Sequence, residues 1–144
     1  MPRVKLSEQP QYEFCHPMTV RATDINYGAH LANEAVLEFA HEARAQFFAV
    51  LGFKATDTNQ HHLGMIIGDV IVNYKAEAFL HDRLEIDCQI DELKKKSFRF
   101  LQRIRRGDQI IALIETGMVS FDYQTRSIAP LPEKFLSALN AYRQ

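Results

Sequence analysis

Apolar residues at Val36, Phe39, Ala40, Ala43, Phe47, Val50 and Leu51 recur at the spacing of one helical face, in the longest helical pattern of the chain. Most of the chain beyond residue 62 has period two. A helix with so apolar a stripe needs a hydrophobic surface to lie against, and strands that alternate inward and outward residues supply one. The pattern therefore predicts an α+β domain in which an antiparallel sheet wraps around one long helix. Asn33 reads as the helix N-cap, Glu34 and Glu38 suit its positive end, and Gly52 is placed to close it.

The strands follow from alternation. Tyr12 to Arg21 reads as a first strand that Pro17 confines to an edge, after a loose arm over residues 1–10. The polar stretch 54–62 reads as a loop. Met65 to Tyr74 is rich in β-branched residues, and Leu84, Ile86, Cys88 and Ile90 alternate with Glu85, Asp87, Gln89 and Asp91. Phe98 to Ile104 carries Arg99 and Arg103 outward, and Gly107-Asp108 turns the chain into Gln109 to Phe121. An acidic strand beside a basic one gains from cross-strand pairing, about 0.2–1 kcal/mol per pair, so the arginines read first as a solvated sheet face. Pro132 to Tyr142 forms a last amphipathic piece that packs on a sheet edge or a partner. Asp69 stands out as a carboxylate inside an apolar strand.

A chain of 144 residues without repeats or internal linkers suits one domain spanning 1–144, large enough for its own core. The net charge of −1 gives no general attraction to nucleic acid, and no run reaches the ~20 apolar residues of a membrane span. Met1 to Lys5 leads into polar residues, so no signal peptide is expected. Cys15 and Cys88 fit a reducing cytoplasm better than a disulfide framework. His61-His62 lacks further ligands at metal spacing, so no metal is expected, and no cofactor is implied.

The chemistry centres on Asp24-Ile25-Asn26-Tyr27-Gly28-Ala29-His30, which sets a carboxylate, an amide and an imidazole just ahead of the long helix. A helix start adds free N–H groups carrying partial positive charge, able to polarise a carbonyl. Each residue also has a plain reading. Asp-x-Asn-x-Gly is turn chemistry, with the carboxylate capping backbone amides and Gly28 at positive φ; His30 alone is a surface or packed histidine, and Asn33 alone a cap.

With Asp24, Gly28, His30 and Asn33, then Glu42-Ala43-Arg44, Val72-Asn73-Tyr74 and Asp82 to Ile86, the chain resembles the hot-dog fold acyl-CoA thioesterases, in particular the 4-hydroxybenzoyl-CoA thioesterase-like branch. The likeness covers nearly the whole chain by order of elements. It implies hydrolysis of an acyl-CoA to free acid and CoA, with the site residues Asp24, Asn26, His30 and Asn33. The branch usually has a second aspartate where Asn26 stands, and an amide cannot abstract a proton. His30 is then the preferred base because an imidazole titrates near neutrality, with Asp24, Glu38 or Glu42 as other carboxylates to consider. Asp24 orients His30 or the water, Asn26 bonds the water or the carbonyl, and the amide near Asn33 holds the oxyanion.

Two other functions stay open at this level. Hot-dog hydratases and dehydratases use an Asp, an Asn two residues on and a His three beyond, and His30 falls one residue late for that spacing. A non-catalytic acyl-thioester-binding protein would also lack the second aspartate. The resemblance to single hot-dog domains, which have a half-built pocket and an open sheet edge, implies a homodimer or dimer of dimers, with Phe39, Phe47, Met65 and Tyr74 as candidate acyl-pocket residues and Lys94 to Lys96 or Arg103 to Arg106 near CoA phosphates.

Overall fold

A computed structural model describes residues 3–53 and 63–144; the expected loop 54–62 and the His61-His62 pair lie outside the described residues. The elements run β1 (Phe14–Thr19), a 3₁₀ turn (Ala22–Asp24), α1 (Asn33–Val50), β2 (Leu63–Tyr74), β3 (Arg83–Asp91), β4 (Ser97–Arg106), β5 (Gln109–Asp122), β6 (Ser127–Ile128) and α2 (Glu133–Tyr142). The strands form one antiparallel sheet in the order β1-β3-β4-β5-β2, with β6 beside β5. Pro17 does lie on an edge strand, which costs the ladder no donor on its free side. Two-residue β6 has no alternating pattern to announce it.

Helix α1 lies in the concave face of the sheet, with Phe39, Ala43 and Phe47 fully buried against Ile86, Cys88, Phe100 and Ile104. Val50 departs from the expected stripe and is exposed, while Phe47 and Leu51 on either side of it are buried. Gly52 sits one residue beyond the Leu51 cap at φ +93°, where its N–H bonds the Ala49 carbonyl and the Phe53 N–H bonds that of Phe48. This pair of bonds satisfies carbonyls that a helix end otherwise leaves open. At the other end, Ala32 is the N-cap and offers no side-chain bond, so Asn33 is the first helical residue rather than the cap.

Helix α2 closes the core near the end of α1. Phe135 stacks on Phe98 at 5.2 Å and meets Phe48 and Phe53 edge-on, while Tyr142 donates to the Glu13 carbonyl. Pro132 is its N-cap. Of the buried polar residues, Gln102 donates to the Ala40 carbonyl at 2.8 Å, and Arg44 lies over the Phe100 ring with one nitrogen 3.2 Å from His41 Nδ1. Burial lowers the Arg44 pKa, since water solvates the guanidinium poorly there.

The outer face carries the expected charge pairing in register, with Glu85 opposite Arg105 and Asp87 opposite Arg103. It is less solvated than the alternation suggests. Asp87 is only 4% exposed, held by Arg103 and Arg105, and the N-terminal segment lies across them. That segment is pinned, not loose. Leu6 N–H donates to Asn73 Oδ1 and Asn73 Nδ2 to the Val4 carbonyl, Glu8 pairs with Arg103, and the Tyr12 ring stacks under the same guanidinium at 4.4 Å. Asp69 is explained as well: at a bulge between Ile67 and Asp69 it faces outward and grips Arg99, which also binds Glu115. Gly117 makes room for that fork, since a Cβ there would fall 2.5 Å from the Arg99 guanidinium.

Burial alone would raise the Asp87 pKa, but hydrogen bonds from Arg105 and Arg103 more than reverse this and hold it below the usual range. A carboxyl with a depressed folded-state pKa stabilises the fold fully above its unfolded value, about 3.9, and loses that contribution as pH falls through the folded value. The urea midpoint is therefore expected to drop between pH 6 and pH 3. Asp87→Asn should cost about 2 kcal/mol at pH 6 and flatten that dependence, both read from urea titrations at the two pH values.

Candidate active site

The chain between β1 and α1 is a bend held at several points. Both Asp24 oxygens accept from the Arg21 guanidinium at 3.0 Å, one also accepts the Arg21 N–H at 2.8 Å, and the Asp24 carbonyl accepts the Ala32 N–H. The Arg21 hydrogen bonds outweigh burial and lower the Asp24 pKa. Asp24 is therefore buried and engaged, and it stands outside the lining of the cleft that opens beside this bend. It builds the bend and makes no hydrogen bond to His30 among the described residues, where the sequence predicts a bond orienting the ring or the water. Glu38 and Glu42 also lie away from the cleft, and Glu42 accepts from Gln46.

The cleft, about 360 Å³, lies at the start of α1 and is lined by Asn26, His30, Leu31, Asn33, Val36, Tyr74, Lys75, Ala76, Glu77, Ala78 and Ile111. Three of the four expected site residues thus converge on one space. Asn26 Oδ1 accepts the Gly28 N–H at 3.1 Å, fixing the turn. His30 Nδ1 lies 3.1 Å from the Leu31 carbonyl. A ring nitrogen facing a carbonyl must carry the hydrogen, which leaves the Nε2 lone pair free to accept a proton. Gly28 serves this ring directly, because a Cβ there would fall 2.7 Å from Nε2. Positive φ belongs to Ala29, at +61°, instead of Gly28.

No side chain caps α1, and among the described residues the Asn33 N–H has no acceptor, so a donor at the positive end of the helix faces the cleft. Tyr74 ties the opposite wall to the same turn by donating to the Asn33 carbonyl at 3.1 Å. Of the four residues expected to line an acyl pocket, Tyr74 lines this cleft; Phe39 and Phe47 are core, and Met65 packs against the core. Arg103, Arg105 and Arg106 are paired with Asp87, Glu85 and Asp82 of this chain, and Lys94 to Lys96 turn the chain at the far end of β4 from the cleft. Among the described residues no cluster of potential ligands could hold a metal ion, and no helix is long and apolar enough to cross a membrane.

The profile of the thioesterase-like superfamily matches residues 20–139, which takes in the bend, α1 and all of the sheet except β1. The chain belongs to that superfamily. A 1,4-dihydroxy-2-naphthoyl-CoA hydrolase of Synechococcus elongatus is 29% identical over 102 residues, covering 69% of this chain and 74% of its own. The acyl-CoA thioesterase YbgC of Haemophilus influenzae is 21% identical over 128 residues, covering 88% and 94%. Among solved structures, Slr0204, a 1,4-dihydroxy-2-naphthoyl-CoA thioesterase from Synechocystis, superposes with a TM-score of 0.84 at 19% identity, covering 91% of this chain and 98% of that one. The hot-dog fold expected for this thioesterase-like chain is thus shown.

Arg21, Lys75 and Glu77 could not be picked out from the sequence. Arg21 precedes the polar cluster without any motif, and Lys75 and Glu77 reach the cleft only because the chain after β2 folds back onto the helix start. The strain at Ala29 was equally silent. A left-handed backbone costs a non-glycine residue about 1–2 kcal/mol, partly offset by the extra unfolded-state freedom of glycine. Ala29→Gly is expected to stabilise the protein by about 0.5–1 kcal/mol in urea denaturation, with the fold unchanged by circular dichroism.

Proposed function

We infer that this protein hydrolyses the thioester of an acyl-CoA to the free acid and CoA. The observation that carries the reading is the convergence of the unbonded Asn33 N–H, the His30 imidazole and the Asn26 amide on one cleft at the start of α1. A thioester carbonyl seated there meets a donor before its oxygen gains charge, and such a donor is worth about 3 kcal/mol in the transition state. His30 Nε2 takes a proton from water as the water oxygen bonds the carbonyl carbon, and Asn26 holds the water or the carbonyl. Collapse of the tetrahedral oxyanion breaks the C–S bond, and the imidazolium returns its proton to the departing sulfur. Asp24 contributes by holding the bend.

The acyl group rests on Leu31, Val36, Ala76, Ala78 and Ile111, an apolar floor with the Tyr74 ring beside it. Relatives named for 1,4-dihydroxy-2-naphthoyl-CoA make aromatic acyl-CoAs the first substrates to try. The working unit is a homodimer: β2 ends the sheet order with one side unpaired and presents Ile67, Val70 and Tyr74, about half exposed, as a surface for a second copy. Unpaired Cys15 and Cys88 suit work in the cytoplasm.

Thiol release measured across short, medium, long and aromatic acyl-CoAs tests the activity. His30→Ala is expected to lower kcat/KM by roughly 10²–10⁴-fold on the best substrate with the melting transition retained. Loss of enoyl absorbance without thiol release would assign hydratase chemistry instead, and binding without either signal would leave a non-catalytic acyl-thioester-binding protein.

A further inference from the structure

Hydrolysis by His30 and Asn26 leaves one place open beside the water, that of a negative charge facing the imidazolium as it forms. Asn26 cannot supply a carboxylate, and Asp24 is consumed by Arg21 outside the cleft. Among the residues that line the cleft, one acid remains. Glu77, an exposed residue just after β2, lines the same cleft as His30, and its carboxylate has no hydrogen bond or ion pair among the described residues. Elsewhere among the described residues, Asp69, Asp82, Asp87, Glu8, Glu13 and Glu115 hold arginines.

The backbone around Glu77 is fixed on both sides. Lys75 and Ala76 donate to the Ile111 carbonyl at 2.8 and 3.2 Å, and Leu31 donates to the Ala78 carbonyl at 2.7 Å. Leu31 is also the residue whose carbonyl holds His30 Nδ1, so one residue links the loop carrying Glu77 to the imidazole. The Glu77 carbonyl itself accepts from Arg106 at 3.3 Å. A free side chain on a fixed backbone, lining one cleft with a histidine, is placed to act on what enters that cleft.

We propose that Glu77 is the catalytic carboxylate of this chain, an inference that rests on the thioesterase reading. Its carboxylate accepts one hydrogen of the attacking water while His30 Nε2 removes the other as a proton. That aims the water lone pair at the carbonyl carbon. The negative charge of Glu77 then faces the imidazolium as it forms, until the C–S bond breaks and the proton passes to sulfur. Glu77 gains and loses no proton over the cycle, so acyl-CoA and water give acid and CoA in balance.

The test is thiol release by the full-length protein on its best acyl-CoA. Glu77→Gln and Glu77→Ala are expected to lower kcat about 10²-fold with KM within about threefold, because the carboxylate meets the water and not the acyl group. Melting temperatures should match the unsubstituted protein, since the side chain is exposed and holds no hydrogen bond or ion pair among the described residues. Added formate should restore part of kcat to Glu77→Ala and none to His30→Ala, a rescue that a structural role would not show. An active parent with both Glu77 variants within about twofold of it overturns this assignment and leaves the thioesterase reading standing. A parent that releases no thiol from any acyl-CoA overturns both.

Discussion

Burial of one face of α1 in the concave sheet is the constraint on which the rest depends. Phe39 and Phe47, each worth about 1.5–3 kcal/mol when removed from water, have no other surface that could receive them. The sheet must therefore curl, its inner face must be apolar, and α2 must cover what the curl leaves open, which Phe135 and Leu139 do. The same packing tolerates Arg44 and Gln102 inside. Gln102 Nε2 bonds a helix carbonyl and Arg44 lies on an aromatic face, while Gln102 Oε1 is buried without a hydrogen bond among the described residues.

Burying the helix also fixes where its first turn points, and the cleft depends on that. An ordinary N-cap side chain would bond the leading amides and spend the donor that a developing oxyanion needs. Ala32 at that position leaves the amide open. The stability that such a cap would contribute, typically about 1 kcal/mol, is forgone. Asp24 with Arg21, the Leu31 link to Ala78 and the Tyr74 bond to Asn33 hold the turn in its place. Even the strained Ala29 fits this picture, since it lies between the turn that Asn26 closes and the histidine.

The outer face obeys a different logic. Its arginines and carboxylates neutralise one another strand by strand, and the N-terminal segment seals part of the network through Glu8 and Tyr12. Asp87 becomes a buried charge, stable because two guanidiniums share it. A face so fully paired within the chain leaves few free cations for an anionic ligand. Recognition is concentrated instead at the helix start and along the exposed edge of β2.

Period and composition alone determined the architecture: a 3.6-residue stripe and several two-residue alternations admit few arrangements other than a sheet wrapped on a helix, and opposite charges on successive strands foretold that they pair. The polar heptapeptide likewise marked the site, because Asn26, His30 and Asn33 are close in the chain and a helix start keeps them close in space. Tertiary structure decided what local chemistry leaves open. Asp24 faces Arg21 and not the imidazole, positive φ falls on Ala29 and not Gly28, and residues from beyond β2 return to form the opposite wall. Such facts depend on where the chain comes back to after crossing the sheet, and no spacing along a sequence encodes a contact whose distance is set by folding.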